Sequence, residues 1–486
     1  MNTMQSRPHL SVGGSMSLSA ENVVRLKQIV AVLAVVLGIA IALMTPPNGL
    51  NRQAMIALGI VVWAVFWWIT QIIPEYVTAL MMCTLWAGTK CVGFKVAFDS
   101  FSSAGWWIMV GAFGLGSIAG KTGLLKRISL WVLSLFPPTF NGQVLGLLTS
   151  GTVIGPLVPS MNAKAALSSP ISLAISDSLG VERKSPAASG LLGACYGGFV
   201  LMGHMFLSGS FSHYIMIGAL PAPYNAVTWM DWMLWSLPWG VICFAALAIS
   251  IMVMYRPSVP VSLPPGYGRE QLAKLGPMSR DERIVLLVMI CALAMWMTEL
   301  WHGINASVVA ISAMSILLGL KIMTAQDFKN GIEWPAVVLI GCVFNMAPVI
   351  KALAIDKYLG GMFGHIISQM AAQPALFITA IAVSIFLIKF LVTNMTSAAI
   401  MFSLILSPIA VQAGIHPWIV IFVAFCAGNI WILKYQNTIY LCAQFATKGK
   451  MSDHMPMVKL CLVFMAVVIV GSVCSIPYWR MLGLLP

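Results

Sequence analysis

Val153-Ile154-Gly155-Pro156-Leu157-Val158-Pro159-Ser160-Met161-Asn162-Ala163-Lys164 is the stretch on which the fold turns. It lies in an apolar run, about 142–177, that is interrupted by Gly155, Pro156, Pro159 and Pro170. Proline lacks an N–H and clashes with the preceding turn, so one continuous helix leaves backbone carbonyls and amides without partners here. Hydrocarbon cannot satisfy such groups. Irregular backbone at membrane depth must therefore face protein or a wet cavity. The stretch predicts a re-entrant hairpin over about 142–177 with its tip near 159–163.

The rest of the chain places that hairpin in lipid. Of 486 residues, 59% are hydrophobic and 8% are charged, where an ordinary soluble domain carries about 25% charged residues. Mean hydropathy is +0.92. Soluble enzymes, nucleic-acid binders and disordered proteins are excluded on this ground. Apolar runs of spanning length fall at about 28–44, 54–73, 76–92, 103–120, 189–207, 233–254, 285–301, 304–320, 335–355, 417–433 and 457–477. A second interrupted run, about 375–412, predicts a second re-entrant hairpin. The fold class is thus an all-α polytopic membrane protein of about eleven transmembrane helices plus two hairpins. Residues 1–27 read as a cytoplasmic tail and 28–254 as a first half. The Pro- and Arg-rich stretch 255–284 is a cytoplasmic linker, and 285–486 form the second half.

The net charge of +13 follows from lysine and arginine collecting in cytoplasmic loops, so no nucleic-acid partner is implied. With the N-terminus inside, the basic loops 121–127, 181–184, 255–284, 321–329 and 448–459 share the cytoplasmic face, and eleven spans put the C-terminus outside. Lys90, Lys95, Lys351 and Lys357 fall on the other side. The ten cysteines are scattered, with no spacing that suggests a disulfide framework or a zinc site. No cofactor is expected.

Two segments resemble each other: 107–121, with Gly111 ten residues before Lys121, and 338–351, with Gly341 ten before Lys351. Each precedes a short amphipathic piece and an interrupted hairpin. They lie five spans apart, so they cross in opposite directions. Inverted repeats with discontinuous helices mark a secondary transporter, with the site at the repeat interface. A hairpin tip exposes helix N-terminal amides that favour an anion. Ser160 and Asn162 add polar side chains at the first tip, and Thr393, Asn394, Thr396 and Ser397 do so at the second. Two broken spans, Ser208–His213 and Lys434–Thr438, supply further walls. A lysine inside a span costs about 2.5–3.5 kcal/mol even on lenient insertion scales, so Lys434 is expected to face the cavity and offer a fixed positive charge to substrate. For Lys164 and Lys389, structural pairing and substrate contact are both open. His204 reads as an interhelical histidine. The sequence has no His-Glu-x-x-His, no paired intramembrane aspartates and no Gly-x-Ser-x-Gly, which argues against a membrane enzyme; a channel remains compatible with the hairpins.

At these residues the chain resembles the divalent anion/sodium symporter family, a solute carrier 13-like group, and especially its bacterial citrate and dicarboxylate carriers. The resemblance runs from about residue 54 to the end. It is carried by 68–80 (Trp68-Ile69-Thr70-Gln71-Ile72-Ile73-Pro74-Glu75-Tyr76-Val77-Thr78-Ala79-Leu80), by Gly111–Lys126 and its repeat, and by Val158–Lys164. It implies a homodimer with fixed scaffold domains and moving transport domains, elevator-type alternating access, and tips that bind carboxylate and sodium. The family's first Ser-Asn-Thr tip corresponds to Ser160-Met161-Asn162. Its second corresponds to Ser397-Ala398-Ala399, and its Thr-Pro-Pro-Asn breaks to Ser210–His213 and Lys434–Asn437. Substrate contact thereby falls to Ser160, Asn162, Ser210, Thr396, Ser397, Lys434 and Asn437, and any sodium to the neighbourhood of Ser160, Asn162, Thr393 and Asn394. The departures remove oxygen ligands at both tips and place a lysine beside the site. Both argue against sodium coupling and for an exchanger or proton-linked carrier of a small dicarboxylate-like anion across the inner membrane. The alternatives are a carrier of a sulfonate, phosphonate or inorganic anion, or a sodium-coupled symporter.

Overall fold

The computed structural model describes residues 20–218, 220–221, 223–355, 357–358, 373–390, 402–403, 406–408 and 410–486. In the first half the main helices are α1 Ala20–Leu43, α2 Arg52–Thr70, α3 Glu75–Gly88, α4 Ala104–Lys121, α5 Leu124–Ser134, α6 Phe140–Ile154, α7 Met161–Ser178, α8 Pro186–Tyr196, α9 Phe211–Gly218 and α10 Trp229–Met254. In the second half they are α11 Arg280–Met297, α12 Ala306–Gly319, α13 Trp334–Phe344, α14 Pro374–Ile388, α15 Trp418–Gly428, α16 Thr438–Ala446 and α17 His454–Cys474. Short helical pieces join them. An isolated bridge pairs Thr139 with Ser262.

The chain is an all-helical, multi-pass membrane protein. Among the described residues six helices are long and apolar enough to cross a bilayer, or seven if the bent pair Phe94–Ser102 and Ala104–Lys121 counts as one. Three shorter apolar helices follow: Ala306–Gly319, Pro374–Ile388 and Trp418–Gly428. The sequence reading of eleven counts apolar runs, and several runs do not stay helical to their ends. α12 has 14 residues and α15 has 11. At a rise of 1.5 Å per residue these reach about 21 and 17 Å, short of a hydrocarbon core of about 30 Å.

Glycines set the closest helix approaches. A Cβ on Gly38 of α1 or on Gly59 of α2 would strike the other's carbonyl, so these helices touch backbone to backbone. Gly111 of α4 sits against the backbone of Ala310 in α12, and Gly151 of α6 against Gly198 in the irregular turn that follows α8. The second contact locks the first arm of the hairpin onto the span that is itself broken farther on. α7 packs on α8 and on α16, while α3 packs on α13. The hairpin packs with the broken spans, and α13 meets both α3 and α9 of the first broken span.

The linker is anchored rather than loose. The Arg127 guanidinium forks onto Glu282 (Nε to Oε1 2.9 Å, Nη2 to Oε2 3.2 Å) and donates to the Gly276 carbonyl at 2.9 Å. Glu282 also closes a capping box with Ser279 at the start of α11. A bidentate arginine–carboxylate pair holds geometry as well as charge, so α5 and α11 are fixed to each other across the linker.

Candidate functional site

The hairpin breaks where proline and glycine forbid a helix. After α6 the chain makes one 3₁₀ turn over Gly155–Leu157, extends, and restarts at Met161 with Ser160 as N-cap. The Ser160 hydroxyl accepts from the Ala163 amide at 3.3 Å. The broken span after α8 restarts as α9 beside this tip: the Phe211 amide donates to the Pro159 carbonyl at 2.8 Å, and Ser210 Oγ accepts from the Ser212 amide at 3.2 Å. In the second half α16 restarts after Asn437. The Asn437 Oδ1 accepts from the Ile439 and Tyr440 amides at 3.0 Å each, and its Nδ2 donates to Asn429 at 2.6 Å. The Cys442 thiol of α16 meets the Asn162 carbonyl of α7 at 3.6 Å.

Three helix N-termini, from α7, α9 and α16, therefore converge on one cavity of about 840 Å³. Its walls are Met161 and Asn162 from the tip, Ser210–Ser212 and Gln436–Ile439 from the two breaks, Gln71–Tyr76 from the break between α2 and α3, and Glu333 with three residues of α13. Aligned N-terminal amides carry partial positive charge and favour a bound anion. Two carboxylates also line the cavity: Glu75 accepts from Gln71 Nε2 at 3.3 Å, and Glu333 Oε1 accepts from the Ser160 hydroxyl at 3.0 Å.

Of the sequence-proposed residues, Asn162, Ser210 and Asn437 line the cavity, Asn162 exposed and the other two buried, while Ser160 lies buried behind the wall on Glu333. Lys434 stands apart. It is exposed, and it is not among the described residues that line the cavity. α15 ends at Gly428, so the break carries Lys434 to an accessible position two residues before the cavity wall at Gln436. Thr393, Asn394, Thr396 and Ser397 lie outside the described residues.

The two buried lysines have matching structural posts. Lys164 is 1% exposed, and its ammonium donates to the Gly209 carbonyl at 2.7 Å and the Gly155 carbonyl at 3.4 Å. Lys389 is fully buried, and its ammonium donates to the Gln436 carbonyl at 2.7 Å. Gly209 and Gln436 each directly precede an N-cap residue, Ser210 and Asn437. Each lysine therefore satisfies the carbonyl left without a helical partner where a span breaks. These carbonyls are the oxygens a hard cation would use. Among the described residues no group of three or more His, Cys, Asp or Glu could hold a metal ion. His204 is buried against Phe425, with Nε2 3.3 Å from the amide nitrogen of Asn429, so it reaches the site only through the asparagine that Asn437 also contacts.

Gln71, Glu75 and Glu333 are cavity residues to which the sequence reading gave no role in the site, whereas Gln436 and Thr438 belong to the break it named as a wall. One signal was present: only 14 acidic residues occur in the chain, and Glu75 and Glu333 each adjoin an apolar helix start.

Residues 24–485 match the family described as the sodium:sulfate symporter transmembrane region. Dicarboxylate transporter 1 of Spinacia oleracea chloroplasts is 25% identical over 325 residues, 65% of this chain and 57% of that protein. The inner membrane protein YbhI of Escherichia coli (strain K12) is 26% identical over 337 residues, 66% of this chain and 70% of that protein. A putative malate transporter, YflS of Bacillus subtilis, is 24% identical over 314 residues, 63% of this chain and 65% of that protein. The chain spans 57% and 60% of the lengths of the spinach and Arabidopsis chloroplast relatives. Among solved structures, the Alcanivorax borkumensis YdaH transporter superposes with a TM-score of 0.58 at 12% identity, covering 96% of this chain and 100% of that one. That likeness concerns the fold.

Proposed function

The chain belongs to the sodium:sulfate symporter family of membrane transporters, and from that premise we propose that it carries a small dicarboxylate-like anion across the inner membrane. The observation that carries the reading is the convergence of three helix N-termini on one cavity lined by Asn162, Ser210 and Asn437, with Ser160 buried just behind it on the lining residue Glu333. Its volume, about 840 Å³, falls in the range of small-molecule sites. The names of the spinach and Bacillus relatives point to dicarboxylates and malate. Thr396, Ser397 and Lys434 complete the proposed contacts. The hairpin group moves as the transport domain against the α3–α13 group as scaffold, in a homodimer with eleven crossings per protomer.

Sodium is not the coupling ion in this reading. Lys164 and Lys389 already supply positive charge to the carbonyls at the two breaks, and a second cation there meets like-charge repulsion. The protein works as an exchanger. The test is uptake of radiolabelled dicarboxylate into proteoliposomes preloaded with unlabelled dicarboxylate, with sodium or choline outside at fixed voltage. Saturable counterflow of equal rate in both salts is expected. Uptake that climbs steeply with sodium overturns the coupling, and absence of counterflow overturns dicarboxylate as the substrate. A second reading, transport of an inorganic oxyanion, is favoured by the family's own description; counterflow of radiolabelled sulfate that dicarboxylates do not inhibit would select it.

A further inference from the structure

We propose that Glu333 is an internal carboxylate ligand of the first hairpin tip, which an incoming substrate carboxylate must displace from Ser160. The inference rests on the carrier reading above and adds a residue that sets its affinity.

A serine hydroxyl has one proton to donate. That of Ser160 goes to Glu333 Oε1 at 3.0 Å, while its oxygen takes the Ala163 amide at 3.3 Å. As it stands, Ser160 has no donor left for a substrate. The two partners are 173 residues apart in sequence and cap different helices. Ser160 caps α7, which packs on α8 and α16, whereas Glu333 caps α13, which packs on α3. Glu333 is exposed on the cavity wall, so burial does not fix it and it is free to swing away. The carboxylate sits at the N-terminus of α7, where the same partial positive charge that favours a bound dianion favours it. Glu333 and the substrate carboxylate are therefore chemically alike, and they compete for one proton donor. Displacement also removes a tie between the tip and the wall formed by α13, so substrate binding releases the tip at the moment it fills the site.

The apparent affinity of a site that is only partly available falls by the available fraction. Removing the competitor restores that fraction. Titration calorimetry of the purified protein with a four-carbon dicarboxylate tests this on three chains: the natural one, Glu333→Ala and Glu333→Asp. The aspartate keeps the charge but is one methylene too short to hold Ser160. Displacement predicts that both variants bind about three- to tenfold more tightly than the natural chain. If Glu333→Asp matches the natural chain while Glu333→Ala binds more tightly, the effect is charge repulsion alone and the inference falls. It falls equally if neither variant binds more tightly. If the natural chain shows no saturable binding of dicarboxylate, sulfonate or sulfate, the carrier reading fails and takes this one with it.

Discussion

Asp327 shows how much of the assembly a single carboxylate can hold. The Lys121 ammonium at the end of α4 meets it at 2.6 Å, and Thr324 adds its hydroxyl and amide. Lys121, with help from Thr324, holds the Asp327 carboxyl down to about 2. Its folded-state pKa lies below the unfolded value of about 3.9, so its stabilisation is fully present above that value and disappears as pH falls through about 2. Asp327→Asn is expected to lower the melting temperature at pH 7, with the gap to the natural chain shrinking by roughly half at pH 3. A gap that stays constant from pH 7 to pH 3 shows that charge is not the cause. Single residues were legible in the sequence where they broke a pattern. Ser160, Asn162, Ser210 and Asn437 stand out because each is polar inside an apolar run, and the structure brings all four to the breaks around one cavity. Glu333 carries no such local sign, since its partner is 173 residues away.

At the scale of elements, the breaks themselves were the most legible feature, because glycine and proline act locally on the backbone. What repairs them was not legible. Lys164 is four residues past the N-cap of α7, and Lys389 follows the end of α14, so no shared spacing reveals their common task. Only the folded chain shows that each ammonium reaches the carbonyl just before a restarting helix. Gly203 fits this arrangement, because a Cβ there would press on the Lys164 ammonium at 2.8 Å. Replacing Lys164 with methionine keeps most of the side-chain volume and removes the donor. The Gly209 and Gly155 carbonyls are then left buried without that partner, at a cost of about 1–3 kcal/mol. The expected outcome is a lower melting temperature for Lys164→Met in detergent and loss of counterflow. Lys389→Met should behave alike through Gln436. Full counterflow in either variant removes that lysine from the mechanism.

At the scale of the molecule, charge gives the orientation. The five basic loops assigned to the cytoplasm are joined by contacts. Lys121 pairs with Asp327 at 2.6 Å, so the loops 121–127 and 321–329 lie on the same face. Arg127 with Glu282 and Gly276 adds the linker. Lys184 with Asp453, at 2.8 Å, joins the loops 181–184 and 448–459, and Ser178 with Tyr267, at 2.9 Å, ties the linker to the end of α7 just before the loop 181–184. A sequence that fixes which loops are basic thus also fixes which loops meet, even where its count of spans runs ahead of the helices long enough to cross. α17 leaves this face at His454 and runs 21 residues, about 31 Å at 1.5 Å per residue, which is enough to cross. We propose that the C-terminus lies opposite the basic face and that, by the positive-inside rule, the basic face is cytoplasmic. Alkaline phosphatase fused after Pro486 should therefore be active and a green fluorescent protein at the same place dark, while fusions within 255–284 should give the reverse pair. Activity of the phosphatase in the linker would invert the protein in the membrane, and with it the side on which the cavity takes up its substrate.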